Sequence, residues 1–454
     1  MKKHFTWAAA LALTLLPGVA AAQGQPWLAD RRLGEGPGIR TGDLSLHPGI
    51  AGELGYDSNY FQRSSEENEL AAWRFRLTPS LSLKTLSGPR APDQHRAFNF
   101  EANLSATYNE LLAADSDFSD EVSEQRHISG TAGLKLEIAP TRPWGGDVYA
   151  DYTRMVQPSN TPEDSLAFDR HAVRGGLGVV WRPGGGLFDW RLGYEYQATY
   201  FEEDAFQHLD NGQHSIKTRG RWRFLPRTAL MYDASLGFLR YTRADGSGGA
   251  GAQQDSTPLR ARVGLNGLIT NRFALLAMVG WGASFYESRD GKPVHDFDSV
   301  IGHGELKWFV SPQPDLDSTS ASVGLSSIAL GYLRDFRNSY LGDYYQQDRG
   351  YLKFDYFLGG VVVFGVEGGL THVSYPQSYF ASGAARFGAF GENRVDASVF
   401  AEYRTSDSFG LNVTGRYNAN LTKNEVPTSE TDPTLTDDLR FNRYEIYLGA
   451  RWFM

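Results

Sequence analysis

Cationic side chains occupy every second position in one stretch of the chain, at Lys217, Arg219, Arg221 and Arg223. Alternate residues of a β-strand point to the same face, so these four form one ladder of positive charge. Two shorter sets share a face in the same way: Arg170 with Arg174, and Arg260 with Arg262. Such a ladder along a water-filled pore attracts anions, because a low-dielectric wall raises the potential inside. Alternatively, the arginines pair with acids such as Glu195, Asp233 and Glu305 and stiffen the wall.

Aromatic side chains share the charged face at four positions: Tyr241, Tyr286, Tyr332 and Tyr351. Rings that line a pore can stack on sugar rings and form a track along which a polymer slides. They can equally plug a lumen or lie near its rim. The sequence leaves these alternatives open.

Catalytic chemistry has little support in the sequence. His303 and Glu305 share a face and have the side-chain types of an acid–base pair, but no nucleophile is placed beside them. The chain contains no Gly-x-Ser-x-Gly and no His-Glu-x-x-His motif. Its 454 residues include no cysteine, which excludes thiolate metal ligands and a cysteine nucleophile. We expect no enzyme activity, no metal and no cofactor.

Strands must position all these residues, because polar and apolar side chains alternate with a period of two along most of the chain. Every second residue from Trp190 to Tyr200 is apolar or aromatic, and those between are polar or glycine. Eighteen such segments occur, at 44–61, 70–86, 96–110, 126–139, 145–157, 168–182, 187–202, 212–225, 228–242, 258–271, 273–287, 297–311, 319–336, 345–359, 361–375, 392–405, 408–422 and 440–453.

The connections between these segments alternate between short turns and long polar loops, which is typical of bacterial outer-membrane barrels. Lipid offers no hydrogen-bond partner to the backbone, so a sheet that spans it must close on itself. The sequence therefore predicts an all-β fold: a transmembrane antiparallel β-barrel of about 18 strands, with 16 as the alternative. The barrel occupies residues 44–454, and the N- and C-termini of the chain are expected to face the periplasm. A soluble β-sandwich is disfavoured, because one face of the strands is densely charged.

The first 22 residues have the features of a secretory signal peptide. Lys2 and Lys3 precede an apolar run, and Ala20–Ala22 provide small residues for cleavage. Residues 23–43 are expected to form a periplasmic lead without clear structure. The net charge of −9 argues against a nucleic-acid partner. We expect export to the outer membrane, with lipid and lipopolysaccharide as surroundings.

The last segment carries a second targeting feature. Tyr447, Gly449, Trp452 and Met454 resemble the C-terminal assembly signal of outer-membrane barrels, although that signal usually ends in phenylalanine. The resemblance implies recognition by the barrel-assembly machinery.

The end of the first segment reads Gly-Tyr-Asp-Ser-Asn from Gly55 to Asn59. This stretch resembles the outer-membrane β-barrel porins encoded beside exopolysaccharide and capsule genes. The resemblance implies a barrel of sixteen to eighteen strands that moves polysaccharide across the outer membrane with a periplasmic export protein. The residues themselves have a simpler interpretation, since Asp57 and Asn59 can bond neighbouring amides where the strand ends.

Together with this resemblance, the sequence favours a conduit that takes part in the secretion of an exopolysaccharide or capsule-type polysaccharide. The alternatives are a passive diffusion porin for small solutes, anions among them, and a structural or adhesive barrel that does not conduct. A loop folded into the lumen, with opposed Arg and Asp, would favour the porin. A filled lumen would favour the third function, and a neighbouring export gene cluster the first.

Overall fold

The computed structural model describes residues 36–454 except 65, 67–68, 87–96, 115–121, 123–126, 157–168, 184–185, 243–252, 289–292, 311–323, 359–360, 381, 428–433 and 435. The predicted signal peptide and most of the predicted lead therefore lie outside the described residues. In the described part, no helix is long and apolar enough to cross a membrane.

Eighteen long strands form the body of the molecule. They are β1 Leu44–Asp57, β2 Ala72–Thr85, β3 Phe98–Ala113, β4 His127–Ile138, β5 Trp144–Met155, β6 Arg170–Trp181, β7 Phe188–Phe201, β8 Asn211–Leu225, β9 Thr228–Tyr241, β10 Ser256–Leu268, β11 Phe273–Tyr286, β12 Phe297–Phe309, β13 Gly324–Asn338, β14 Tyr344–Leu358, β15 Val362–Tyr375, β16 Phe390–Ser406, β17 Phe409–Asn420 and β18 Phe441–Phe453.

Each strand pairs antiparallel with its neighbours in sequence, and β18 pairs with β1 from Gly49 opposite Phe453 to Asp57 opposite Glu445. The sheet is therefore a closed barrel, and the prediction of eighteen antiparallel strands is confirmed. Closure removes the two free edge strands that an open sheet of this kind would have. A short strand, Ile39–Thr41, adds to the start of β1.

The two ends of the barrel differ in their connections. At one end, called the short-turn end, the joins include residues 226–227, 269–272 and 407–408. The opposite, long-loop end carries a 3-10 helix at Asp204–Leu209 and two small hairpins, Ser378–Tyr379 with Ala385–Phe387 and Glu425–Pro427 with Thr436–Asp438. One join at the long-loop end is short, at residues 339–343 between β13 and β14.

The distribution of polarity is the reverse of that in a water-soluble protein. Outward positions expose large apolar side chains, such as Leu330 at 61% and Leu370 at 67%. Inward positions hold charged side chains that are almost completely buried, such as Glu53 and Glu402. A surface of this kind matches the hydrocarbon of a bilayer, so the barrel is a transmembrane one.

Outward aromatic side chains lie near both ends of the strands. Trp144, Trp222, Trp308 and Trp452 lie near the short-turn end, and Trp73, Tyr152, Tyr200 and Tyr444 near the long-loop end. These positions are typical of the two aromatic belts at membrane interfaces.

Candidate functional site

All eight basic residues singled out in the sequence lie at inward positions, called lumenal positions below. Along β8, Lys217, Arg219, Arg221 and Arg223 alternate with outward side chains such as Ile216, which is 50% exposed. The same alternation places Arg170 and Arg174 on the lumenal face of β6, and Arg260 and Arg262 on that of β10.

Several of these cations are paired with acids on neighbouring strands. Lys217 Nζ lies 2.6 Å from Glu195 Oε1, and Arg174 Nη2 lies 2.6 Å from Asp151 Oδ2. Arg262 Nη2 lies 3.0 Å from Asp233 Oδ1. These pairs brace the wall. Glu305, which the sequence offered as another acid for these arginines, contacts Tyr351 and Lys307 instead.

Arg219 and Arg223 differ from the others. Neither forms an ion pair with any residue that the structure describes, and both are exposed to the lumen. The lumenal positions of β5–β10 together hold nine cations, Arg170, Arg174, Arg191, Lys217, Arg219, Arg221, Arg223, Arg260 and Arg262, against five acids, Asp147, Asp151, Asp189, Glu195 and Asp233. The difference of nine minus five leaves four excess positive charges on this third of the wall.

The four tyrosines do not form one track. Tyr351 lies over Gly331 on the next strand, and its hydroxyl donates to Glu305 Oε2 at 2.7 Å. Tyr241 and Tyr286 are buried at the long-loop ends of β9 and β11. Tyr332 lies on the outward face beside Leu330 and is 49% exposed. Its predicted lumenal placement is wrong, because even-numbered positions of this part of β13 face outward.

The long-loop end of the β13–β14 hairpin, residues 335–347, lies on the lumenal side of the wall and is called the inward hairpin. β12 pairs with β13 only from Gly302–Arg334 to Phe309–Ser327, so Phe297–Ile301 has no partner on that side. The last residues of β13, Asp335–Asn338, pair only with β14. At this point the hairpin leaves the wall.

Contacts across the lumenal faces of β10–β12 hold the inward hairpin. Arg260 Nε donates to Asp335 Oδ1 at 3.0 Å, and Arg260 Nη2 donates to the Phe336 carbonyl at 2.5 Å. Its guanidinium also lies 4.0 Å from the centre of the Phe336 ring. Farther along, Asn338 Nδ2 donates to Ser256 Oγ at 3.2 Å, and the Tyr286 hydroxyl donates to Asn338 Oδ1 at 3.0 Å.

An apolar core lies between the inward hairpin and the wall. Phe336 and Ile301 have no exposed surface, and Phe297 is 2% exposed. The rings of Phe297 and Phe336 stack with their centres 4.2 Å apart, and Tyr344 packs edge-on against Phe297 at 5.2 Å. The lumen-facing Gly282 leaves space for this core, since a Cβ there would lie 2.7 Å from the Phe336 ring.

The turn of the inward hairpin crosses part of the lumen and contacts the wall at β7. The ring of Tyr340 packs edge-on against Phe201 of β7, with centres 5.7 Å apart. Its carbonyl accepts a hydrogen bond from Gln253 Nε2 at 2.9 Å. Because β7 and β13 are six strands apart, the turn spans a chord across the barrel near the long-loop end.

A second group of charges lies where the barrel closes. This closure network consists of Glu53, Asp57, Arg74, Arg76, Arg416, Arg443, Glu445 and Tyr447, all buried. Asp57 Oδ2 lies 3.0 Å from Arg74 Nη1 and 2.5 Å from Arg443 Nη2. Glu445 Oε1 lies 3.0 Å from Arg74 Nη1 and accepts a hydrogen bond from the Tyr447 hydroxyl at 2.9 Å. Sequence reasoning missed this network, because bonded members such as Asp57 and Arg443 are 386 residues apart.

The Gly55–Asn59 stretch adjoins the closure network. Asn59 Nδ2 donates to the Arg63 carbonyl at 2.7 Å, and Asn59 Oδ1 accepts from the Arg63 amide at 3.0 Å. Both Asp57 and Asn59 are fully buried, so their contacts support the structural interpretation. In the loop that follows, burial raises the pKa of the Tyr60 phenol to about 12, although Arg74 and Arg443 oppose the shift.

The residues of the predicted assembly signal lie on both faces of β18. Tyr447 and Gly449 are lumenal, and Trp452 is 42% exposed on the outward face. Met454 follows the strand, and its amide donates to the Pro48 carbonyl at 3.0 Å. Recognition by the assembly machinery remains a prediction.

His303 and Glu305 do not meet directly. The Tyr351 hydroxyl stands between them, 3.0 Å from His303 Nε2 and 2.7 Å from Glu305 Oε2. Among the described residues, no three His, Asp or Glu side chains are grouped so that they could hold a metal ion.

Fold and lumen together define the class of protein: a transmembrane β-barrel with a charged lumen and an inward hairpin. Comparison with protein-family models and with curated proteins finds no match. Similar solved structures include the FrpB iron transporter of Neisseria meningitidis, with 9% identity, 92% of this chain and 82% of that chain covered, and a TM-score of 0.46. The outer membrane protein OpdK of Pseudomonas aeruginosa has 10% identity, 90% and 99% coverage and a TM-score of 0.44. The copper transporter OprC has 12% identity, 92% and 81% coverage and a TM-score of 0.42.

Proposed function

We propose that the chain is an outer-membrane channel through which small solutes diffuse, with a preference for anions. The observation that carries this proposal is the excess of positive charge on the lumenal face of β5–β10, where Arg219 and Arg223 face the lumen without a described acidic partner. In a low-dielectric pore, such charges raise the local concentration of anions and lower that of cations.

A conduit for an extended polysaccharide has less support. The inward hairpin crosses one side of the lumen, and Tyr351 lies against the wall over Gly331 with its hydroxyl bonded to Glu305. A hairpin folded into the lumen and anchored there by the Arg260–Asp335 ion pair resembles the inward loop that favours a diffusion channel. A polymer cargo and a periplasmic export protein therefore belong to the second hypothesis, and a non-conducting structural barrel is third.

The proposal places the barrel in lipid and lipopolysaccharide, delivered by the predicted signal peptide and the barrel-assembly machinery. Its loops at the long-loop end are tied to one another, since Glu66 bonds Lys423 and Arg440 at 3.1 and 3.0 Å. These hydrogen bonds lower the pKa of the exposed Glu66 carboxyl. We propose that this end faces the cell exterior.

Reversal potentials in planar bilayers under a salt gradient test the anion preference. The wild type should pass Cl⁻ more readily than K⁺. In the double variant Arg219→Gln, Arg223→Gln, the Cl⁻ to K⁺ permeability ratio should be roughly two- to threefold lower, which corresponds to about 0.4–0.7 kcal/mol. The matched control Arg227→Gln, Arg240→Gln removes two cations from a turn and from the outward face and should keep the ratio. A cation-selective or non-conducting wild type would contradict the proposal.

A cell-based measurement separates the first two hypotheses. A clean deletion strain should take up small anionic solutes more slowly and keep its normal surface and secreted polysaccharide. Loss of one polymer with normal solute uptake would instead establish the conduit.

A further inference from the structure

We propose that the inward hairpin is the size filter of the channel and that Arg260 sets its aperture. This inference rests on the proposed function, because a filter requires a conducting lumen. It assigns a specificity-determining role to one residue and one hairpin, and it concerns the size of the solute rather than its charge.

The hairpin is held against the wall by a few contacts in place of a continuous β-ladder. Beyond Arg334 of β13, the pairing with β12 ends. From that point, Arg260 supplies an ion pair to Asp335, a hydrogen bond to the Phe336 carbonyl and a contact with the Phe336 ring. The position of the hairpin therefore depends strongly on this arginine.

The neighbouring Arg262 offers a comparison on the same strand and face. Its guanidinium pairs with Asp233 of β9, a strand of the wall, and makes no described contact with the inward hairpin. Both side chains are 18% exposed. Replacing either one removes one lumenal charge, but only the loss of Arg260 also removes contacts that hold the hairpin.

The turn lies inside the lumen near the long-loop end and is partly exposed there, as expected of a size filter. Tyr340 approaches Phe201 across the lumen yet keeps 37% of its surface exposed. The small hairpin between β15 and β16 covers the turn, since Ser378 Oγ donates to the Leu341 carbonyl at 2.9 Å. The Asp343 carboxylate accepts from the His295 amide at 2.8 Å. The turn therefore narrows the lumen on this side of the barrel, near the long-loop end.

The experiment measures the entry of uncharged sugars of increasing size into proteoliposomes, together with single-channel conductance. Arg260→Ala should admit larger sugars than the wild type and raise conductance at least about twofold, because conductance grows with the open cross-section. Arg262→Ala should lower the anion preference as much as Arg260→Ala does, but it should keep the sugar cut-off of the wild type. Heat-modifiable migration on gels establishes that each barrel is folded. If Arg260→Ala does not fold, Asp335→Asn removes the same ion pair with an isosteric side chain.

A reversible cross-link provides the second arm. The chain contains no cysteine, so Phe201→Cys and Tyr340→Cys introduce the only thiols. In the Arg260→Ala background, a short reducible bis-methanethiosulfonate should restore the wild-type cut-off, and reduction should open the pore again. Equal cut-offs for Arg260→Ala and Arg262→Ala, with no effect of the cross-link, would overturn the filter and leave the channel intact. Folded barrels that never conduct would overturn both the filter and the proposed function.

Discussion

At the scale of single residues, the closure network buries charged side chains and pairs them with one another. Asp57 has no exposed surface and accepts hydrogen bonds from Arg74 and from both Nε and Nη2 of Arg443. Removing one member of such a network leaves the others desolvated and unpaired.

We therefore predict that Asp57→Ala lowers the free energy of unfolding by roughly 3–5 kcal/mol, the usual effect of breaking a buried ion pair. Urea unfolding of the barrel in lipid vesicles measures this change. Asp151→Ala is the matched control, because the pair of Asp151 with Arg174 is partly exposed and should contribute only about 0–1 kcal/mol. Equal decreases in the free energy of unfolding of the two variants would show that burial does not increase the contribution of an ion pair to stability.

A second residue-scale feature is the close fit of a tyrosine ring over a glycine. A Cβ at Gly55 would overlap the ring of Tyr447, which is itself held between Gly55 and the guanidinium of Arg76, 3.6 Å from the ring centre. Gly52 lies on the same strand but faces outward, and a Cβ there would meet nothing within 4 Å.

Gly55→Ala should destabilise the barrel by about 1–3 kcal/mol, since the added methyl overpacks a buried site. Gly52→Ala should be neutral or stabilising, because alanine is less costly than glycine to order in a strand. The same unfolding assay compares the two. A neutral Gly55→Ala would mean that the Tyr447 ring moves freely.

Sequence alternation identifies the face of nearly every strand residue, because strict alternation allows only two faces. It cannot identify partners. Asp57 meets Arg443 only because the first and last strands close the barrel, and the sequence does not contain that register. Tyr332 was assigned to the wrong face because an aromatic side chain is compatible with either face of a barrel strand.

At the scale of elements, the eighteen strands follow from the periodicity, and their ends differ from the predicted ends by a few residues. The inward hairpin was not predictable, because its strands alternate like all the others. One sequence feature does indicate it: the join at 339–343 is short where its neighbours are long. A short join cannot reach over the lumen unless the strands themselves bend inward.

The same side-chain to backbone hydrogen bond occurs at the long-loop ends of three strand pairs, β7–β8, β9–β10 and β11–β12. Asp210, Asp255 and Asp296 each accept, through Oδ1, the amide of the aromatic residue that ends the preceding strand. For Asp255 that residue is Tyr241, at 2.9 Å, and the Asp255 carbonyl also accepts the Glu287 amide at 2.9 Å. One aspartate thus links the ends of β9 and β11.

Asp255→Ala should speed amide hydrogen exchange at Tyr241 by roughly five- to a hundredfold, because a buried amide left without its acceptor costs about 1–3 kcal/mol. Hydrogen–deuterium exchange followed by mass spectrometry measures the exchange rate at Tyr241. In the control Asp204→Ala, the carboxylate lost is an exposed one whose described bond is to the Gln207 side chain. If both variants exchange alike at Tyr241, the aspartate does not hold the strand end.

At the scale of the whole molecule, the net charge of the chain and the charge of one third of the lumenal wall have opposite signs. The chain carries a net charge of −9, yet the lumenal face of β5–β10 has an excess of four cations. Composition alone therefore suggests an acidic protein, whereas a permeating ion passes a basic wall. The basic character of the lumen becomes visible only when each strand residue is assigned to the lumenal or the outward face.

The salt dependence of permeation separates the effect of the lumenal charges on ion selectivity from the effect of the inward hairpin on solute size. The Debye length is about 10 Å at 0.1 M and about 3 Å at 1 M, so high salt screens the lumenal arginines from a passing ion. We predict that the Cl⁻ to K⁺ permeability ratio of the wild type falls towards the ratio of the Arg219→Gln, Arg223→Gln variant as salt rises from 0.1 to 1 M. The cut-off for uncharged sugars should not change over the same range, because the inward hairpin is held by buried contacts that salt screens only weakly. A permeability ratio independent of salt would show that selectivity does not arise from the charges of the wall, and a cut-off that widens with salt would show that solvent-exposed charges hold the hairpin.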